Sequence, residues 1–131
     1  MKPSIFKPFC VVVGASLLFA LNVMANSTYQ EKDYQAAWCS AHKGITEYSL
    51  SDKTRVDCLT EEYAIEFDWA KKWAESIGQS LYYAYSTNKK PAVVLIMTNP
   101  EKEEQFLKRL TKVAKKAGIT VFVMASVNDT N

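Results

Sequence analysis

Histidine is almost absent from this 131-residue chain, which has His42 and no other. A lone imidazole has no partner for acid–base catalysis and cannot build a metal site by itself. Charge of one sign is missing as well: 16 basic and 14 acidic residues leave a formal net charge of +2. Such a balance supplies no global positive field to recruit nucleic acid, so any contact of that kind needs a local patch. There is no internal repeat, no low-complexity stretch and no Cys-x-x-Cys pair, so disulfide-exchange chemistry finds no low-pKa thiol motif. Gly78-Gln79-Ser80 falls in the middle of a predicted helix, which excludes a nucleophile elbow on a strand-to-helix turn.

Long apolar runs are confined to the first residues. Lys2 and Lys7 precede an apolar stretch from Phe9 to Leu21, and Val23-Met24-Ala25 offers small residues for a signal peptidase. This order predicts a secretory signal over residues 1–25, the run being short for a membrane span; the alternative is an uncleaved anchor. Cys10 lies too near the start to be a lipid-attachment cysteine. Residues 26–131 then form a single domain, exported to the periplasm or secreted, with no stable membrane anchor after cleavage. Loss of Lys2 and Lys7 leaves 14 basic and 14 acidic residues, a net charge of zero. Cys39 and Cys58 remain as an even pair, for which a disulfide is the natural expectation outside the cytoplasm. Closing that loop stabilises by roughly 3 kcal/mol. Two buried free thiols, or half of a metal site with His42, are the competing readings.

Periodicity sets out the elements. Tyr34, Ala37 and Trp38 predict a helix over Tyr29–His42, ended by Gly44. Short strands follow at Ile45–Leu50, Arg55–Leu59 and Tyr63–Trp69, the last with strict alternation. Trp73, Ile77 and Leu81 predict the core face of a helix over Ala70–Ser86. Ala92–Met97 reads as a strand buried on both faces. Asn99 and Pro100 open a helix whose predicted core face is Phe106, Leu110, Val113 and Ala117, closed by Gly118. Ile119–Met124 is a last buried strand and the tail from Asn128 is loose. Strand–helix–strand crossovers make the far side of the sheet parallel. The expected fold is α/β, a mixed sheet with helices on both faces.

A turn at Glu61-Glu62 sets Asp57 opposite Glu66, Arg55 opposite Asp68 and Cys58 opposite Ile65. Asp57, Glu66 and Asp68 then share one face, with Val56, Cys58, Ile65 and Phe67 on the other. Opposed carboxylates repel unless a positive charge intervenes, and a hard divalent cation held by one or two of them plus water is one solution. Such an ion can polarise a phosphoryl oxygen and activate water. A solvated Asp57 beside an Arg55–Asp68 ion pair is the other.

These residues resemble the PD-(D/E)xK nuclease superfamily, the restriction endonuclease-like fold shared by Holliday-junction resolvases and RecB-like exonuclease modules. Asp57 followed by Glu66-Phe67-Asp68 stands in its motif order, and Gln79 to Tyr83 fits the Gln-x-x-x-Tyr motif of the RecB-like branch. The likeness spans about Tyr34 to Met124 and implies an αβββαβαβ core. It further implies that Asp57 and Glu66 bind Mg²⁺ or Mn²⁺, that Gln79 and Tyr83 flank the site, and that Glu47 is an extra acid. Asp68 occupies the place of the motif lysine, so it becomes a further metal ligand, or a lysine reaches in from the next helix. Lys72, Glu75, Gln79 and Tyr83 form one helical stripe, which favours Lys72; its plain alternative is a solvated lysine paired with Glu75.

The implied activity is metal-dependent phosphodiester hydrolysis, on DNA before RNA. The rival is an inactive nuclease-fold binding module with a protein partner. Lys108, Arg109, Lys112, Lys115 and Lys116 read as a solvated helix face before a phosphate-binding one. Trp38, Trp69 and Trp73 read as core rather than base-stacking platforms.

Overall fold

The computed structural model describes residues 28–131; the signal-peptide reading of residues 1–25 lies outside them. The elements are α1 (Glu31–Ala41), β1 (Ile45–Ser49), β2 (Arg55–Leu59), β3 (Tyr63–Trp69), α2 (Trp73–Thr87), β4 (Lys90–Ile96), α3 (Pro100–Ala117) and β5 (Thr120–Met124). A single 3₁₀ turn, Ala70–Lys72, joins β3 to α2. Five strands make one sheet in the order β1-β2-β3-β4-β5. The pairs β1–β2 and β2–β3 are antiparallel, whereas β3–β4 and β4–β5 are parallel. The chain is therefore α/β with a mixed sheet. Among the described residues, no helix is long and apolar enough to cross a membrane.

The alternation in β3 becomes two buried faces. Ile65 and Phe67 pack with Tyr34, Trp38 and Cys39 of α1 and with Cys58 of β2. Beneath them Ala92, Val94 and Ile96 of β4 continue the same core. The other face of β4, Val93 and Leu95, packs with Leu110 and Ala114 of α3. So α1 covers one face of the sheet, and α2 with α3 covers the other. Cys39 and Cys58 form a disulfide, tying α1 to β2. The bond fits an oxidising compartment outside the cytoplasm. Gly44 makes room for it: a Cβ there would stand 2.5 Å from the Cys58 Sγ and 2.6 Å from the Cys39 Sγ.

Helix ends follow the expected chemistry. Asn99 Oδ1 accepts the Lys102 N–H at 3.4 Å and Glu103 Oε2 accepts the Asn99 N–H at 3.0 Å, satisfying donors that the first turn leaves free. Gly118, with φ 70°, ends α3 in the left-handed region that glycine enters without a Cβ clash.

Four expectations change. The residues of α2 buried against the sheet are Ser76, Ser80, Tyr83 and Ala84, while Leu81 is exposed. Small serines let the helix approach the sheet, and their hydroxyls are satisfied by donating to the carbonyls of Trp73 and Ile77. Val113 is exposed and Ala114 takes its place inward. β5 is an edge strand of which only Met124 is fully buried. Beyond it, the Asp129 carboxylate accepts the N–H groups of Ala125 and Ser126, which turns the tail back.

Candidate functional site

The register of the β2–β3 hairpin agrees with the expectation at Cys58↔Ile65 and Leu59↔Ala64, and those two pairs complete the ladder. At Asp57 the strands part. Its carboxylate, not a backbone carbonyl, accepts the Phe67 N–H at 2.8 Å. The β1–β2 ladder skips the same level: Thr46↔Cys58 and Tyr48↔Val56 pair, but Glu47 and Asp57 do not. Glu47 there has φ 53°, a strained value for a residue with a Cβ. This interruption breaks the alternation of β2. Val56 packs with Ala64, Tyr83 and Ala84 rather than with Cys58, Ile65 and Phe67. Arg55 pairs with Glu47 at 3.1 Å and not with Asp68.

Glu66 and Asp68 point into the face covered by α2, and both are buried, at 5% and 3% exposure. Glu66 Oε2 has no hydrogen-bond partner among the described residues, an arrangement that ordinarily carries a free-energy penalty. Burial pushes the Glu66 carboxyl far above the usual carboxylate range, and the charges of Asp57, Asp68 and Glu31 push it further. Burial also raises Asp57, against the Phe67 N–H that lowers it, with Glu31 and Glu47 adding to the rise. The two side chains lie close enough to bias each other's proton affinity. In the absence of a cation, a proton on Glu66 would relieve the pair. Asp68 is raised to about 6, first by burial, with Lys72 opposing and Glu31 adding.

Lys72 ends the 3₁₀ turn that precedes α2. Its Nζ stands 3.9 Å from Asp68 Oδ1 and 3.8 Å from Glu75 Oε2, and its side chain is half exposed. Further along, Gln79 lies near enough to the Tyr83 phenol to lower its pKa. That phenol is buried and its pKa is raised by burial first, then by the charges of Glu66, Asp57 and Asp52. The structure thus brings Asp57, Glu66, Asp68, Lys72, Gln79 and Tyr83 into one neighbourhood.

Sequence reasoning missed Glu31. Its carboxyl, at the start of α1, is raised by burial and lowered by Lys72, and its charge reaches Asp57, Glu66 and Asp68. Glu47, the expected extra acid, acts on Asp57 from β1. The only sequence signal for Glu31 was an acid in a first helical turn, which a helix dipole explains equally well.

Hard oxygen ligands at a parting of strands suit a small divalent cation, which needs one or two carboxylates with water completing its shell. Glu66 Oε2, buried and unpartnered, is the atom that best fits such an ion. Among the described residues, however, no group of three or more His, Cys, Asp or Glu is already drawn together as a metal-holding set. One ion shared by Asp57 and Glu66 fits the donors; a closed protein cage does not. A hollow of about 500 Å³ between α1 and β1 reaches Glu47 and is lined also by Lys32, Asp33 and Gln35.

No protein-family model, no curated protein and no solved structure matches this chain.

Proposed function

We propose that this protein is an exported, metal-dependent phosphodiester hydrolase of the PD-(D/E)xK type, acting on nucleic acid and on DNA first. The observation that carries the reading is a half-buried Asp57 beside a buried Glu66 at the point where β2 and β3 part, with Glu66 Oε2 unpartnered among the described residues. Supporting it are the element order and the placing of Gln79 and Tyr83 beside the acids. Asp57 and Glu66 would hold Mg²⁺ or Mn²⁺, with Asp68 assisting. The ion, when bound, would supply Lewis-acid activation of water and phosphate. Lys72 would meet the scissile phosphate as a point charge, and Tyr83, with Gln79 beside it, would orient the carboxylates. Periplasmic or secreted placement follows from the leader-like residues 1–25 together with the disulfide.

A second reading is favoured by one observation. Asp68 stands where the resemblance calls for lysine, and the nearest ammonium, that of Lys72, is shared with Glu75. A protein that kept the fold and lost the chemistry would act as a binding module for a protein partner.

The test is incubation of purified protein with single- and double-stranded DNA and with RNA, in Mg²⁺ or Mn²⁺, alongside EDTA and Glu66→Gln controls. Calorimetric titration with Mn²⁺ runs in parallel. Cleavage that disappears in both controls is the expected result. Saturable Mn²⁺ binding without cleavage would leave the binding module standing. Cleavage retained by Glu66→Gln, or neither binding nor cleavage, would overturn the hydrolase.

A further inference from the structure

A second hollow, of about 560 Å³, opens at the other end of β3 and on the opposite face of the sheet from the carboxylates. It begins five residues along the strand from Asp68, which at strand rise is roughly 16 Å away. Its size falls within the span of small-molecule sites. Aromatic rings make its walls. His42 stacks on Trp38 with centroids 3.5 Å apart and planes 14° from parallel. Phe122 tilts against Trp38 at 5.2 Å, and Tyr63 meets Phe122 edge-on at 6.1 Å. These rings rise from α1, β3 and β5, three elements that the core holds in place.

The mouth is acidic. Glu61 and Glu62, at the turn between β2 and β3, both line it. Lys90 pairs with Glu62 at 2.8 Å. Lys89 donates to the backbone carbonyl of Glu61, so the Glu61 carboxylate has no ion pair among the described residues. Neither lysine lines the hollow. A cation on an apolar body meets an unmatched carboxylate for its charge and aromatic rings for its body. An anion meets repulsion from that carboxylate.

We infer that this hollow is a binding site for a small organic cation, an ammonium or guanidinium group on an apolar body. The charge lies against Glu61, and the body lies on Tyr63, Phe122 and the edge of the His42–Trp38 stack. The site does not depend on the hydrolase reading, since it shares no residue with the acids at the far end of β3.

The test is an NMR titration of purified ¹⁵N-labelled protein with benzyltrimethylammonium, following the Trp38 indole N–H signal. Comparison with Trp69→Phe and Trp73→Phe spectra assigns that signal. Benzyl alcohol serves as the uncharged probe of similar shape. The expected result is a saturable shift with the cation, at least about fivefold tighter than with the alcohol. Glu61→Gln, a change at an exposed turn, should erase that preference, while Glu104→Gln on α3 should leave it intact. No saturable shift, equal binding of cation and alcohol, or a preference that survives Glu61→Gln would overturn the site.

Discussion

Along β3 two faces of one strand are buried to nearly the same degree and filled with opposite chemistry. Ile65 and Phe67 face α1, where Trp38 meets Phe67 at 6.0 Å and the Cys39–Cys58 disulfide closes the layer. Glu66 and Asp68 face α2 with as little exposure. The first face stabilises by removing apolar area from water. The second concentrates carboxyl groups where water cannot screen them, which raises their pKa values and leaves an acceptor unpartnered. Burial therefore says little by itself about what holds a strand in place. Groups kept in an unfavourable state persist where their surroundings over-determine them, and such places are enriched in function. On this reading the disulfide-tied face is what lets the acidic face exist.

The largest expected effect comes from weakening the apolar face. Substituting Cys39→Ser together with Cys58→Ser should lower stability by about 3 kcal/mol, read as a fall in the urea midpoint. The paired substitution avoids a stray thiol. An unchanged midpoint would show that α1 is held by Trp38 and Tyr34 alone, and that the two faces are energetically separate.

The acidic face should respond with the opposite sign. Glu66→Gln removes a buried carboxyl from the company of two others, and in EDTA should raise stability by on the order of 1–3 kcal/mol. The same change should abolish Mn²⁺ binding, so a single variant would gain stability and lose the ligand. A loss of stability in EDTA would mean that Glu66 is structurally matched after all.

A pH series sharpens the contrast. Asp68 is raised from 3.8 to about 6, and Glu66 and Asp57 are raised too. A raised carboxyl binds its proton more tightly when folded, so its contribution is fully present below the unfolded value, near pH 4, and is lost as pH rises. In EDTA the urea midpoint of the wild type should fall relative to Glu66→Gln between about pH 4 and neutrality. Added Mn²⁺ should restore the wild type alone. Parallel curves for the two proteins would remove the charge crowding from the account.

How much of this could be read in advance differs between the faces. The strand Tyr63–Trp69 was legible because a seven-residue alternation admits only one period. The parting at Asp57 was not, because register counting continues a ladder until something stops it, and here an acceptor oxygen on the side chain did. The inward serines of α2 were hidden for a related reason. Hydrophobic spacing points to Trp73, Ile77 and Leu81, whereas close approach to a sheet selects for small side chains. Glu31 was hidden because it lies far from Asp57 in sequence and joins the acids only when α1 is laid on the sheet.

The smallest expected effect falls on Lys72, and its direction decides the lysine's role. At 3.9 Å from Asp68 and 3.8 Å from Glu75 the ammonium is beyond hydrogen-bond reach of either carboxylate. It sits between a buried acid and an exposed one, half in solvent. A long contact from a half-solvated ammonium contributes about 0–1 kcal/mol, so Lys72→Met should scarcely move the unfolding midpoint. The Asp68 carboxyl should nevertheless titrate higher, because Lys72 is the main influence holding it down. Carbon-detected NMR of the side-chain carboxyls in EDTA reads that shift directly. If Asp68 titrates as before, the ammonium belongs to Glu75 and solvent, and Lys72 loses its claim on the phosphate. If Asp68 moves while stability does not, the lysine is poised at the carboxylates without being needed by the fold, as a group reserved for a ligand would be.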